Sequence, residues 1–233
     1  LPDLLNDHLK INETIDSIIE IFSQPGIEKN FLLNLKCTSL PYLEWNIPSL
    51  SEKAMPDNYS ICISDIDGNN EEVLFSSNSP LMSPDWSPDG KKLAYVSFEK
   101  GFAEIYIQNL LTGVRETIPT LGMSKSAPVW SPDSKSIAFV ISMSGNPDLY
   151  NYNLKTKKIS RLTSHYGIDT EPAWSPDSKK LLFTSNRSGS PQIFEIKLSN
   201  KRIKRVTLEG SYNSRSRFFP DGRNIVFVHG NNG

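Results

Sequence analysis

Two cysteines and three histidines in 233 residues are too few for several kinds of chemistry. Cys37 and Cys62 have neither a CxxC nor a metal-ligand spacing, so no disulfide framework and no zinc site is expected. His8, His165 and His229 lie far apart and no G-x-S-x-G is present, so a Ser-His-Asp triad would have to be assembled arbitrarily. A phosphate-cradling Gly-rich loop is also missing. Charge is balanced, with 25 basic and 26 acidic side chains, and no global field recruits nucleic acid. Apolar runs such as Ile137–Ile141 fall far short of the roughly 18 to 20 residues of a membrane span, so no integral membrane segment is expected. No secretory leader pattern opens at Leu1, which fits a removed signal peptide as well as none.

What is present is a repeat. Trp86, Trp130, Trp174 and Phe218 stand 44 residues apart. After them come Ser87-Pro-Asp-Gly90, Ser131-Pro-Asp-Ser134, Ser175-Pro-Asp-Ser178 and Phe219-Pro-Asp-Gly222, and then Leu93, Ile137, Leu181 and Ile225 in one column. Cys62, Tyr106, Tyr150 and Phe194 form another column, as do Leu74, Ile118, Leu162 and Val206. Each unit holds four short candidate strands, in one copy Val129–Trp130, Ser136–Ile141, Asp148–Asn153 and Lys158–Thr163, separated by Gly, Pro, Asn and Ser clusters. A four-stranded repeat of about 40 to 45 residues is the size of a β-propeller blade. The expected fold is therefore all-β, a propeller of four-stranded antiparallel blades. The Ser-Pro-Asp-Gly runs read as its turns: Pro presets φ, Asp suits the next position and Gly tolerates the positive φ that follows.

The ends are less regular. Residues 59–77 match only the last two strands of a repeat, and 216–230 only the first two. Pairing of these two halves into one composite blade is one way to close a ring. Upstream, Asn12 is placed to cap a short helix with Ile15, Ile18, Ile19 and Phe22 on one face and Pro25-Gly26 as its stop. Residues 1–30 thus read as helical, and 31–233 as propeller. Phe31–Cys37 reads as a strand, and 38–58 as a loop or insertion. The acidic stretch Asp65–Glu72 has Gly68 at the fourth rather than the sixth position of a calcium loop, and it aligns with hairpin turns elsewhere. No metal and no cofactor is expected.

The runs PLMSPDWSPDGKKLAYVSFE (80–99), SDIDGNNEEVLF (64–75) and DTEPAWSPDSKKLLFTSNRSGSPQIF (169–194) resemble the TolB family of the Tol-Pal system. The resemblance is strong over residues 59–230 and weaker over 8–37. It implies a partial propeller, about four to five of six blades, preceded in residues 1–30 by the helical remnant of an N-terminal domain. It further implies a non-enzymatic periplasmic adaptor that binds the peptidoglycan-associated lipoprotein Pal, communicates with TolA, and supports outer-membrane integrity and cell division. The Pal-binding face would fall on the approaches to the innermost strands, Leu81–Pro84, Ser124–Pro128, Asp169–Pro172 and Asn213–Arg217, read here as loops. The implied partner-binding residues are Met82, Ser83, Ser124, Ala127, Thr170 and Glu171. Ala127, Thr170 and Glu171 match the family site directly, whereas Ser124 stands where enterobacterial TolB carries histidine. The alternatives are the propeller part of a prolyl-oligopeptidase-like peptidase, or a derivative that has lost binding.

Overall fold

The computed structural model describes residues 58–120, 123–143 and 145–231. The N-terminal helix, the strand at Phe31–Cys37 and residues 38–57 of the expected loop lie outside them.

The described residues form sixteen strands. β1 (Tyr59–Ile63) and β2 (Glu72–Ser77) make a hairpin. A first full blade follows as β3 (Leu81–Trp86), β4 (Lys92–Ser97), β5 (Glu104–Asn109) and β6 (Arg115–Thr117). The second is β7 (Ser124–Trp130), β8 (Ser136–Met143), β9 (Asn146–Asn153) and β10 (Ile159–Arg161); the third is β11 (Asp169–Trp174), β12 (Lys180–Ser185), β13 (Gln192–Lys197) and β14 (Arg202–Arg205). β15 (Tyr212–Phe218) and β16 (Ile225–Gly230) form a two-stranded sheet of their own, so the composite blade is not formed among the described strands.

By density of contacts the chain divides into two units, one containing residues 62–73 and the other 56–61 with 74–233. In the first, the tip of the β1–β2 hairpin is closed by Gly68 N donating to the Asp65 carbonyl, while the Asp67 and Asp65 carboxylates accept from Asn69 and Asn70. Those carboxylates serve the turn.

In the second unit the core consists of seams between sheets. β-strand side chains alternate faces, so a strand covered on both sides must be apolar throughout. β4 shows this: Leu93 and Tyr95 pack with Ile61, Leu74 and Phe75 on one side, while Ala94 and Val96 pack with Ile137, Phe139 and Ile141 of the second blade on the other. Ala138, Val140 and Leu149 meet Leu181, Phe183 and Phe194 at the next seam, and Ala173, Leu182 and Ile193 meet Phe218, Ile225 and Phe227 at the last. The tryptophan column belongs to the seams: Trp174 Nε1 donates to the carbonyl of Val129 in the preceding blade at 3.0 Å.

The turns repeat their chemistry as well as their sequence. Ser87 Oγ donates to Asp89 Oδ1 at 2.6 Å and accepts from Lys92 N at 2.8 Å, while Lys91 N donates to Asp89 Oδ1. Ser131/Asp133 and Ser175/Asp177 repeat these bonds. The last position of each turn is left-handed, with φ of 67° at Gly90, 58° at Ser134, 57° at Ser178 and 67° at Gly222.

A candidate docking face built on the innermost strands

The approaches read as loops prove to be strand. Leu81–Pro84, Ser124–Pro128, Asp169–Pro172 and Asn213–Arg217 all lie within β3, β7, β11 and β15. A proline normally argues against a strand interior, but a β-bulge admits it. Register shifts by one residue between Met82 and Asp85, Ser126 and Val129, Thr170 and Ala173, and Ser214 and Arg217. The residue at the bulge is left-handed in every copy: Ser83 at φ 50°, Ala127 at 49°, Glu171 at 55° and Arg215 at 53°. None is glycine, and such residues cost energy that the surrounding structure must hold in place. The bulge re-aims side chains in the same manner on four consecutive innermost strands.

Pairing of Leu81 with Ser97 and of Asp169 with Ser185 puts the start of each innermost strand beside the loop that leaves its second strand. These starts define an upper face, and the Ser-Pro-Asp turns lie at the opposite end of the strands. β7 packs against both β3 and β11, so Met82, Ser83, Ser124, Ala127, Thr170 and Glu171 come from three adjacent blades. Met82, Ser83 and Ser124 are exposed, and Ala127, Thr170 and Glu171 are half-buried. Tyr166 (86% exposed), Ile168 and Tyr212 add apolar surface at the same end. The His165 ring lies 4.1 Å from that of Tyr166, and its Nδ1 accepts from Gly167 N. His165 thus shapes this loop.

Glu171 is more occupied than its sequence position suggests. Its Oε2 accepts from Thr184 Oγ1 at 2.7 Å and from the backbone N of Arg215 at 2.9 Å, while Oε1 lies 3.5 Å from Arg215 Nε. It ties the third blade to β15. Asp85 plays the same part between the first and second blades, its Oδ2 accepting from Trp130 N at 2.6 Å. A carboxylate therefore satisfies an inner-strand N–H of the next blade at both seams, as a buried donor requires.

Arg215 and Arg217 also belong to this region, and sequence reasoning did not single them out. The signal was present, because Arg215 stands in the repeat column of Ser83, Ala127 and Glu171. Burial pushes the Arg217 guanidinium below its ordinary value, opposed by the charges of Asp85 and Glu171 and reinforced by Arg215. Among the described residues no cluster of three or more His, Cys, Asp or Glu is placed to hold a metal.

Radially stacked four-stranded sheets, with their innermost strands bulged toward a common upper face, define a β-propeller. The family model described as the TolB beta propeller domain matches residues 47–233, and the chain belongs to that family. It is 62% identical over 55 residues to the Tol-Pal system protein TolB of Wigglesworthia glossinidia brevipalpis, a match covering 24% of this chain and 13% of the relative. TolB from Acinetobacter baumannii matches in structure with a TM-score of 0.69 at 45% identity, over 75% of this chain and 44% of that one. The chain thus spans less than half the length of these relatives. A prolyl endopeptidase structure matches with a TM-score of 0.50 at 17% identity, over 65% of this chain and 26% of that one, which shows the fold alone.

Proposed function

We propose that this Tol-Pal TolB-like chain is a non-enzymatic, periplasmic adaptor whose upper face binds a Pal-like peptidoglycan-associated lipoprotein, in support of outer-membrane integrity and cell division. TolA is a further proposed partner. The observation that carries the reading is the convergence of Met82, Ser83, Ser124, Ala127, Thr170 and Glu171 on one face of a TolB-family propeller. Exposed apolar side chains beside hydroxyl and carboxylate groups suit a protein interface with a polar rim. Among the described residues no helix is long and apolar enough to cross a membrane.

The test is titration calorimetry with the soluble domain of a Pal-like lipoprotein against wild type, Thr170→Ile and Met82→Asp. Micromolar or tighter binding by wild type, weakened at least about tenfold in both variants, is expected. Failure of the wild type to bind, or equal binding by all three, would overturn the reading. Glu171→Lys is a poor probe of contact, because it also removes the tie to Arg215.

A further inference from the structure

We propose that Arg215 and Arg217 form a carboxylate-binding site on β15, which anchors an acidic side chain of the protein that docks on the upper face. The proposal rests on the docking reading above and adds the chemistry by which the partner is recognised.

Three observations carry it. First, the two guanidiniums lie two residues apart on an innermost strand, at the bulge that separates Ser214 from Arg217 in register. The charge of Arg215 bears on that of Arg217, so the two lie within electrostatic reach of one bound anion. Second, Arg217 is half-buried, yet among the described residues its guanidinium makes a single hydrogen bond, from Nη1 to the Ser216 carbonyl at 3.1 Å. Arginine stays charged even when desolvated and offers five donors in a rigid fork, so most of its capacity is left for an incoming acceptor. Ser216 between the two arginines is 0% exposed, and its hydroxyl has no partner among the described residues. Third, the acidic groups that act on Arg217, Asp85 and Glu171, have oxygens committed elsewhere: Asp85 Oδ2 to Trp130 N, and both Glu171 oxygens to Thr184 and Arg215. Their fields favour the Arg217 charge without completing its hydrogen bonding.

A carboxylate fits this set of donors. It accepts two parallel N–H bonds from one guanidinium, the bidentate geometry for which arginine is suited. Glu171 acts as a positioning residue, because it accepts from the backbone N of Arg215 and its carboxylate forms an ion pair with Arg215 Nε at 3.5 Å.

Two arms test the site separately from the identity of the partner. In the first, the chain is titrated with a capped tetraglutamate peptide and, as control, tetraglutamine, while arginine Nε–Hε signals are followed by NMR. Saturable shifts of the Arg217 and Arg215 signals with tetraglutamate alone, lost in Arg217→Gln, are expected; no shift, or equal shifts with both peptides, would overturn the site. In the second, the Pal-like domain is titrated against wild type, Arg217→Lys and Arg217→Gln. Truncating one partner of a desolvated charge pair predicts weakening of at least about 30-fold for Arg217→Gln, with Arg217→Lys in between. Binding of Arg217→Gln within about twofold of a binding wild type would overturn the anchor while sparing the docking reading. A peptide response without any Pal-domain binding upholds the site and sinks that reading. The wild-type peptide arm holds even where a variant fails to fold.

Discussion

At the scale of single residues, the repeat places different amino acids in one backbone conformation and so compares them directly. The last position of the Ser-Pro-Asp turn is glycine at 90 and 222 and serine at 134 and 178, all left-handed. A left-handed serine carries roughly 1 to 2 kcal/mol of steric strain, and glycine removes it at an entropic cost of roughly 0.5 to 1. Ser134→Gly should therefore raise the thermal midpoint by the equivalent of about 0.5 kcal/mol. Ser178→Gly should give no such gain, because the Ser178 hydroxyl accepts from Asp133 N at 3.1 Å. Equal gains in melting experiments would refute this account.

The turn aspartates make a second prediction at the same scale. Asp89 and Asp177 are held below their ordinary value of 3.8, chiefly by the hydroxyls of Ser87 and Ser175, and Asp221 chiefly by Arg223 N. A carboxylate whose folded pKa is depressed adds stability above its unfolded pKa, and that stability is lost as pH falls through the folded value. The midpoint should thus fall as the solution is acidified below about 3.8. Asp89→Asn, which keeps an accepting oxygen without the charge, should be less stable at neutral pH and converge on wild type in acid. A constant gap between the two curves would contradict the assignment.

At the scale of elements, the seams differ in the residues that join them. Lys125 at the start of β7 donates to Glu104 of the first blade at 2.6 Å, both side chains being almost wholly buried. One repeat further on, the matching positions hold Asp169 and Asp148, and each carboxylate takes its own arginine, Arg187 and Arg161. Two repeats on they hold Asn213 and Gln192, bonded at 2.8 Å. The positions recur but the contact does not: the first and last pairs reach across their seams, whereas Asp148 and Asp169 each turn to an arginine of their own blade. Breaking the buried ion pair singly leaves an uncompensated charge, so Lys125→Met should cost about 3 to 5 kcal/mol. Lys125→Met with Glu104→Leu should recover most of that loss. Urea denaturation of the two single variants and the double gives the coupling directly, and an additive cycle would show that the pair does not act as a unit.

At the scale of the whole molecule, stability is distributed over seams in which each sheet buries its neighbour. Phe183 is completely buried in the seam between the second and third blades, its ring centroid 5.8 Å from that of Phe194. Phe183→Ala should cost about 3 to 5 kcal/mol. Because this seam connects complete blades on both sides, the loss should lower a single cooperative transition; a separate melting step confined to one blade would show instead that the blades unfold independently.

The period of 44 residues, the four strands of each blade, the serine–aspartate turns and the apolar columns were all legible in the sequence, because each follows from local alternation and turn chemistry. The candidate face was legible as a set of positions, and its backbone was misread. Pro84, Pro128 and Pro172 signal a loop by their missing N–H, whereas a bulge carries them inside a strand, and the need for a left-handed residue before them leaves no mark when that residue is Ser, Ala or Glu. The blade architecture was thus determined by the sequence alone, through the two-residue alternation of strands and the local demands of tight turns. Only the tertiary structure decided that Glu171 commits its carboxylate to the next blade, because that contact joins groups 44 residues apart across a seam, and that the Arg217 guanidinium is half-buried with a single hydrogen bond among the described residues.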